Sequence, residues 1–489
     1  MTPDTILSNN NHQGIRMIRT MLITFVFLLC CSSAYSQSNS ADYNADYQRN
    51  ALEIYRHIIS IRSAAGHGKV PEVANYLADQ FRDGGFDDSD IHVLPQILSS
   101  GEETASLVVR YEGDDSSGRE PILLIAHMDV VDALPKDWER DPFTLVEEDG
   151  YFFGRGTLDD KFGITTLTTT FLRLKAAGFV PSRDLILGFT GDEESGMETT
   201  RALATEYREL TDAGYVLNAD GGGGFLDHNG RAIAFMIQGA EKTFASFELT
   251  IRNPGGHSSL PRPDNAIYEL ATVLKNIEAY TFPTQINDIT RGYFEKTAVV
   301  TAAPVGDAMK RFAANPNDEK ALAVLSQHPE QNSVTRTTCV ATMLSAGHAE
   351  NALPQSATAT VNCRIFPGVA VEDVQAKLFE VGANDTLEIE IMGEGRSSPA
   401  SPINEEVTAA VSNAVHKQHP GIPIIPYMAP YGTDGKEMRR AGMPTYGVMG
   451  LFVRPEDEFA HGLNERVQVD VFFGALEYWH DMLTDLAGN

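Results

Sequence analysis

The sequence is short of several things, and each shortage closes off a class of protein. It has 4 cysteines in 489 residues, far too few for a disulfide-built scaffold. Positive charge is scarce: 38 Lys and Arg stand against 67 Asp and Glu, for a net charge of −29. A surface that negative repels phosphate backbones, so nucleic acid is excluded as a partner. The strongest hydrophobic stretch, 21–31, is eleven residues long, well below the roughly 20 needed to cross a bilayer. No internal repeat, heptad pattern or low-complexity tract is present, which argues against solenoids, coiled coils and disordered tails. What is there is an ordinary globular balance, 42% hydrophobic and 21% charged with 41 Gly and 24 Pro, in a chain long enough for more than one domain.

The short hydrophobic stretch has its own meaning. Arg16 and Arg19 precede it and Ser32-Ser33-Ala34-Tyr35-Ser36-Gln37 follows it, the layout of a secretory signal peptide over 1–36 cleaved after Ser36. The expected product is secreted or periplasmic, with no stable membrane span. Its cysteines are then Cys339 and Cys363. They lie on two β-rich runs, 333–344 and 357–366, joined by a turn-rich segment. A hairpin centred near residue 351 sets them almost opposite each other. A disulfide and two buried thiols both stay open, because register is not readable from sequence.

Two helical patterns (Leu52, Tyr55, Ile58, Ile59; then Val73, Leu77, Phe81) open the ordered chain. Short apolar runs then alternate with helical stretches through residue 218. That rhythm predicts an α/β fold, a mostly parallel sheet flanked by helices. Near residue 239 the character shifts to an inserted α+β portion of two-layer type. The expected organisation is a first catalytic part over 37–238, an inserted portion over 239–383 elaborated at 282–332, and a second catalytic part over 384–489.

Five polar clusters sit where successive strands should end, the place where such sheets collect ligands. The first is His127-Met128-Asp129, in which Asp129 is spaced to orient the His127 ring. The second is Gly154-Arg155-Gly156-Thr157-Leu158-Asp159-Asp160-Lys161, where one aspartate suits a helix N-cap. Thr190-Gly191-Asp192-Glu193-Glu194 is the third, a set of acidic groups costly to bury unless a cation offsets them. Asp220 ahead of four glycines and His461 near the C-terminus complete the set. Each pattern alone also suits ordinary surface turns. Together, imidazoles and carboxylates without thiolate suit two divalent metals, Zn²⁺ first, with Mn²⁺ or Co²⁺ as substitutes.

With all five clusters in chain order, the sequence resembles the M20 family of metallopeptidases. That resemblance implies His127 and Asp220 on one metal, Glu194 and His461 on the other, and Asp159 bridging. It implies Asp129 steadying His127 and Glu193 as the general base for the metal-bridging water. The inserted portion matches the family's lid and dimerisation domain, in which His257 would polarise the scissile carbonyl, reaching across a homodimer. Asn351, Arg364, Gly432 and Thr433 match its substrate-binding positions, Arg364 being suited to gripping a carboxylate. Arg364 also suits a structural strand end, and Thr433 with Asp434 a helix cap. The strings Asp141-Pro142-Phe143 and Arg336-Thr337-Thr338 look most like the carboxypeptidase S and N-acyl-amino-acid hydrolase branch. The implied activity is release of a C-terminal amino acid from short peptides or N-acyl amino acids. A dipeptidase or small-acyl deacylase is the nearest alternative, and a catalytically silent binding homologue the more distant one.

Overall fold

A computed structural model of the chain describes residues 45–393 and 395–488. The signal segment expected at 1–36 lies outside the described residues. Among those described, no helix is long and apolar enough to cross a membrane.

The strand Ile122–His127 has all six residues buried, as expected of a strand covered on both faces. Its side chains alternate: Ile122, Leu124 and Ala126 join one hydrophobic cluster, Leu123 and Ile125 the opposite one. It pairs in parallel with Leu185–Thr190 on one side and Tyr215–Asn218 on the other. Tyr215–Asn218 pairs in turn, also parallel, with Thr445–Gly447. Helices Asp46–Ser60, Val70–Asp83, Lys161–Ala176, Glu405–Gln418 and Val469–Ala487 supply the first cluster. Leu52, Tyr55, Ile58 and Ile59 of the first helix, and Val73, Leu77 and Phe81 of the second, are buried as their spacing predicts. The α/β class with a mostly parallel sheet is what the chain adopts.

The flanks of this ten-stranded sheet depart from the parallel rule. Ile91–Ile97 and Glu103–Tyr111 form an antiparallel hairpin at one edge. Only residues 98–102 link them, too few for the crossover that a parallel pair requires. On the other flank Gly223–Leu226 pairs antiparallel with Ala232–Glu241.

A second sheet is wholly antiparallel, in the order Thr338–Ala346, Ser356–Ile365, Thr243–Arg252, Glu388–Met392. Helices Ala266–Ala279 and Val371–Gly382 cover one face through Leu270, Val273, Val374 and Leu378, packed on Phe247, Leu249 and Val361. This is the two-layer arrangement expected. Its fourth strand comes from beyond the boundary expected at residue 383, and the alternation Glu388-Ile389-Glu390-Ile391 is its sequence signature. The elaboration at 282–332 behaves differently from expectation. Its helices Asp288–Val300, Val305–Ala314 and Glu319–Leu325 bury Ile289, Phe294, Met309 and Phe312 with Ala234, Ala240, Ile425 and Met428 of the large sheet.

Cys339 and Cys363 pair directly across adjacent strands and are joined in a disulfide. The two alternatives left open by the sequence thus resolve to the bond. Removing both thiols (Cys339→Ala with Cys363→Ala) should lower stability by about 2–4 kcal/mol, read as a shifted denaturant midpoint. An unchanged midpoint, or free thiols in unfolded protein before any reductant is added, would contradict the bond's role.

Candidate metal centre

The parallel strands bring their carboxyl ends side by side, and the chemistry gathers there. His127 is the last residue of its strand. Glu193 and Glu194 lie in the turn after Leu185–Thr190, and Asp220 follows Tyr215–Asn218. Asp159 precedes the helix Lys161–Ala176, which Asp160 caps by accepting the Gly163 amide at 3.1 Å. The neighbouring aspartates therefore divide their work: Asp160 is committed to backbone, accepting the His127 amide at 3.2 Å as well, and Asp159 projects into the site. His461 arrives on a loop with a φ of 62°, a left-handed conformation that a non-glycine residue adopts only when its surroundings hold it there.

The spacing of the polar atoms is close. Asp159 presents one oxygen to His127 Nε2 at 2.8 Å and the other to His461 Nε2 at 2.9 Å. Asp220 lies 3.9 Å from His127 Nε2, and Glu194 lies 3.0 Å from His461 Nε2. Three groups able to hold a metal ion result: His127 with Asp159 and Asp220, Asp159 with Glu194 and His461, and His127 with Glu193 and Glu194. The His127 Nδ1 meets the backbone carbonyl of Asp129 at 3.0 Å. A carbonyl only accepts, so Nδ1 carries the hydrogen and Nε2 faces the carboxylates with a lone pair, unless it too is protonated. Carboxylates at that range need a cation at Nε2, and divalent metal fits the donor set.

Electrostatics points the same way. Burial opposes ionisation of Asp159, but hydrogen bonds to the two imidazoles overcome it and hold the carboxyl below its usual range. Burial also opposes charge on His127, yet Asp129 and Asp159 raise its pKa well above that of free imidazole. The His461 pKa is pushed up to about 10 by Asp159 and Glu194. Glu193 and Asp220 are driven well upward by burial first and by neighbouring carboxylates second. The charge that protons carry here is what two bound metals would replace.

Asp129 has a second task. Its two carboxylate oxygens accept the amides of Glu193 and Glu194, each at 3.1 Å, while its nearer oxygen stands 3.5 Å from His127 Nδ1. One side chain therefore fixes the acidic turn, and the same residue's carbonyl orients the imidazole.

The substrate-side candidates fall into two groups, His257 beside Asn351 and Arg364 against the loop that carries Gly432 and Thr433. His257 is exposed, on the two-residue strand Gly256–His257 beside Ala352–Leu353, with Asn351 adjacent. Its Nδ1 accepts from the Ser259 hydroxyl at 2.8 Å. Arg364 is half-buried, donates to the Pro430 carbonyl at 3.1 Å and stacks 4.8 Å from the Phe244 ring centre. Gly432 adjoins a buried Thr433, whose hydroxyl donates to Glu241 at 2.8 Å and accepts from Asn218 at 3.0 Å. Asp434 is buried against the Thr190 and Thr200 hydroxyls.

Sequence reasoning missed the pair that ties the loops together. Arg155 and Glu465 form a fully buried ion pair at 2.6 Å. Arg155 also donates to the carbonyls of His461 and Gly462 at 3.2 Å. Glu465 accepts the amides of Gly156, Leu158 and Asp159 at 3.1, 2.6 and 3.2 Å. The loops carrying Asp159 and His461 are thus fastened through two residues some 310 positions apart. The only signal available was an Arg between two glycines and a Glu after a His, neither of which names its partner.

A family model described as Peptidase family M20/M25/M40 matches residues 123–485. Among similar proteins, an N-fatty-acyl-amino acid synthase/hydrolase PM20D1 of Xenopus tropicalis is 27% identical over 80% of this chain and 78% of its own length. A probable carboxypeptidase S-like 2 of Dictyostelium discoideum is 26% identical over 77% of this chain and 74% of its own. Among solved structures, the M20 family metallo-carboxypeptidase Sso-CP2 of Sulfolobus solfataricus superposes with a TM-score of 0.65 at 19% identity, covering 90% of this chain and 98% of that one.

Glu465→Gln leaves the Arg155 charge buried without its partner, so a stability loss of about 3–5 kcal/mol is expected, measured by denaturant unfolding. A loss below about 1 kcal/mol, the range of a surface pair, would mean the pair does not anchor these loops.

Proposed function

The chain belongs to the M20/M25/M40 family of peptidases, and on that premise we propose that it is an exported dinuclear metallohydrolase releasing a C-terminal amino acid from short peptides or N-acyl amino acids. The observation that carries the reading is Asp159, whose two oxygens each meet a different imidazole within 2.9 Å, the disposition of a bridging ligand. His127 and Asp220 would hold one ion, Glu194 and His461 the other. Two Zn²⁺ ions, or Mn²⁺ or Co²⁺ in their place, would supply Lewis acidity, depressing the pKa of a water and polarising a carbonyl.

The chain's own groups do the remaining work. Glu193, shielded from solvent among other carboxylates, has its pKa raised by burial, which suits a base that takes a proton from water and passes it to the leaving amine. Asp129 keeps that residue in place through its backbone amide. Arg364 has no carboxylate partner among the described residues and suits the terminal carboxylate of the substrate. His257, exposed and outside every metal-ligand triad, fits a role in the site of a second copy. The edge strand Thr338–Ala346, with Val340, Met343 and Leu344 at 59%, 68% and 68% exposure, offers an unpaired edge for such a homodimer through the lid. Export is supported by the basic and apolar pattern at 1–36 and by the Cys339–Cys363 bond, since disulfides persist in oxidising compartments. Relatives described as an N-fatty-acyl-amino acid synthase/hydrolase and as a probable carboxypeptidase S-like protein support the substrate class.

The deciding assay is amino-acid release from N-acyl amino acids and blocked dipeptides by chelator-stripped and Zn²⁺-restored protein. Release is expected only after restoration; release by the stripped protein, or none from any substrate with metal bound, would overturn the reading. Glu193→Gln should retain both metals by elemental analysis while turnover falls by roughly 10²–10⁴-fold. Near-native turnover would remove Glu193 from the chemistry.

A further inference from the structure

Glu193 borders a cavity of about 480 Å³ that the metal chemistry leaves unassigned. In a chain of net charge −29, its walls carry five basic side chains, Arg201, Lys242, Arg396, Lys436 and Arg440. Three of the carboxylates in those walls are already committed. Glu198 accepts the amide and hydroxyl of Ser99, the hydroxyl at 2.6 Å. Glu241 pairs with Arg439 at 2.8 Å and accepts the Thr433 amide at 2.9 Å. Glu437 pairs with Arg440 and lies 3.7 Å from Arg201.

Lys436 and Lys242 form no ion pair with these carboxylates. Among the described residues no carboxylate pairs with Lys436, whose ammonium stands beside the Gly432 turn, 3.3 Å from where a Cβ on Gly432 would lie. Lys242 is buried with its ammonium on the Ser333 and Arg336 carbonyls, each at 2.8 Å, and on the Thr338 hydroxyl at 3.2 Å, with no carboxylate. Burial and the nearby Arg364 push its pKa down to about 7, the mark of an ammonium lacking a counter-charge. Phe244, which Arg364 overlies, lines the same cavity, so the cationic wall continues into the position suited to the terminal carboxylate.

We propose that this cavity is an anion subsite that takes a second carboxylate of the substrate, with Lys436 as its principal contact. The proposal deepens the hydrolase reading and rests on it. A carboxylate is the anion that peptides and acyl amino acids bring. It has two sources here: the side chain of an acidic residue being released, or a dicarboxylic acyl group on the other side of the bond.

The test compares kcat/KM for N-acetyl-leucine, N-acetyl-glutamate, N-succinyl-leucine and N-palmitoyl-leucine on Zn²⁺-restored wild type, Lys436→Met and Lys436→Arg. One acid-bearing substrate should exceed both neutral ones by about tenfold or more, and which one identifies the source. Lys436→Met should lower that substrate at least about tenfold more than N-acetyl-leucine, mainly through KM, and Lys436→Arg should restore the preference. Equal or better use of the neutral substrates, or an equal loss on all of them in Lys436→Met, would overturn the subsite. Glutarate titrated calorimetrically into the same proteins judges it without turnover. Affinity weakened about tenfold by Lys436→Met supports it; equal affinities, or no binding to wild type, refute it. If nothing is hydrolysed with metals bound, the hydrolase reading fails and the glutarate result alone decides the subsite.

Discussion

The arrangement depends on holding six acidic side chains, Asp129, Asp159, Asp160, Glu193, Glu194 and Asp220, around the two imidazoles His127 and His461. Like charges at such range repel strongly in a poorly hydrated site, and the chain answers each in a specific way. Asp160 accepts the amides of His127 and Gly163, and burial drives its pKa well upward. Asp129 spends both oxygens on the amides of Glu193 and Glu194. Asp159 has the two imidazoles. Glu194 shares His461 with Asp159 and Asp220 lies 3.9 Å from His127, and the excess of carboxylate over imidazole is the charge that divalent ions are suited to balance.

The sheet makes this concentration geometrically possible. Parallel strands send their carboxyl ends to one edge, so His127, the turn after Thr190 and Asp220 come together from three neighbouring strands. His461 has no such guidance, since it belongs to a loop far along the chain. The Arg155–Glu465 pair supplies it, gripping the backbone on both sides. A buried ion pair is a poor source of net stability but a strong specifier of geometry when every remaining lone pair is satisfied. Here Glu465 accepts three amides besides the guanidinium.

Around this acidic centre the charge pattern inverts. The protein as a whole repels anions, but at physiological ionic strength that field is screened beyond about 8 Å. At contact range screening is weak, and there Lys436 and Arg364 stand without carboxylate partners among the described residues. The helices over 288–325 thicken the large sheet on the side of Ile425 and Met428 and leave the outer face of the four-stranded sheet uncovered, with Phe244 and Val340 at 57% and 59% exposure.

Much of this was legible in the residues. The unbroken apolar run ahead of His127 predicts a strand buried on both faces, and the hydrophobic effect enforces it wherever the strand lies. The period of Leu52, Tyr55, Ile58 and Ile59 likewise dictates a helix with one buried face. Cys339 and Cys363 were placed opposite one another by counting from a turn, but their bond needed the register that the bulge between Ala341 and Met343 sets. Local pattern left undecided which of Asp159 and Asp160 caps the helix, and it gave no hint that Glu465 belongs with Arg155. Nor did it show that the helices after residue 288 would seek the large sheet. Sequence alone determined which segments are strands or helices and which side chains can bind metal, because periodicity and side-chain chemistry are local properties. Pairing partners, the committed and uncommitted charges and the cationic cavity were decided only by tertiary structure, because each depends on distances between residues far apart in the chain.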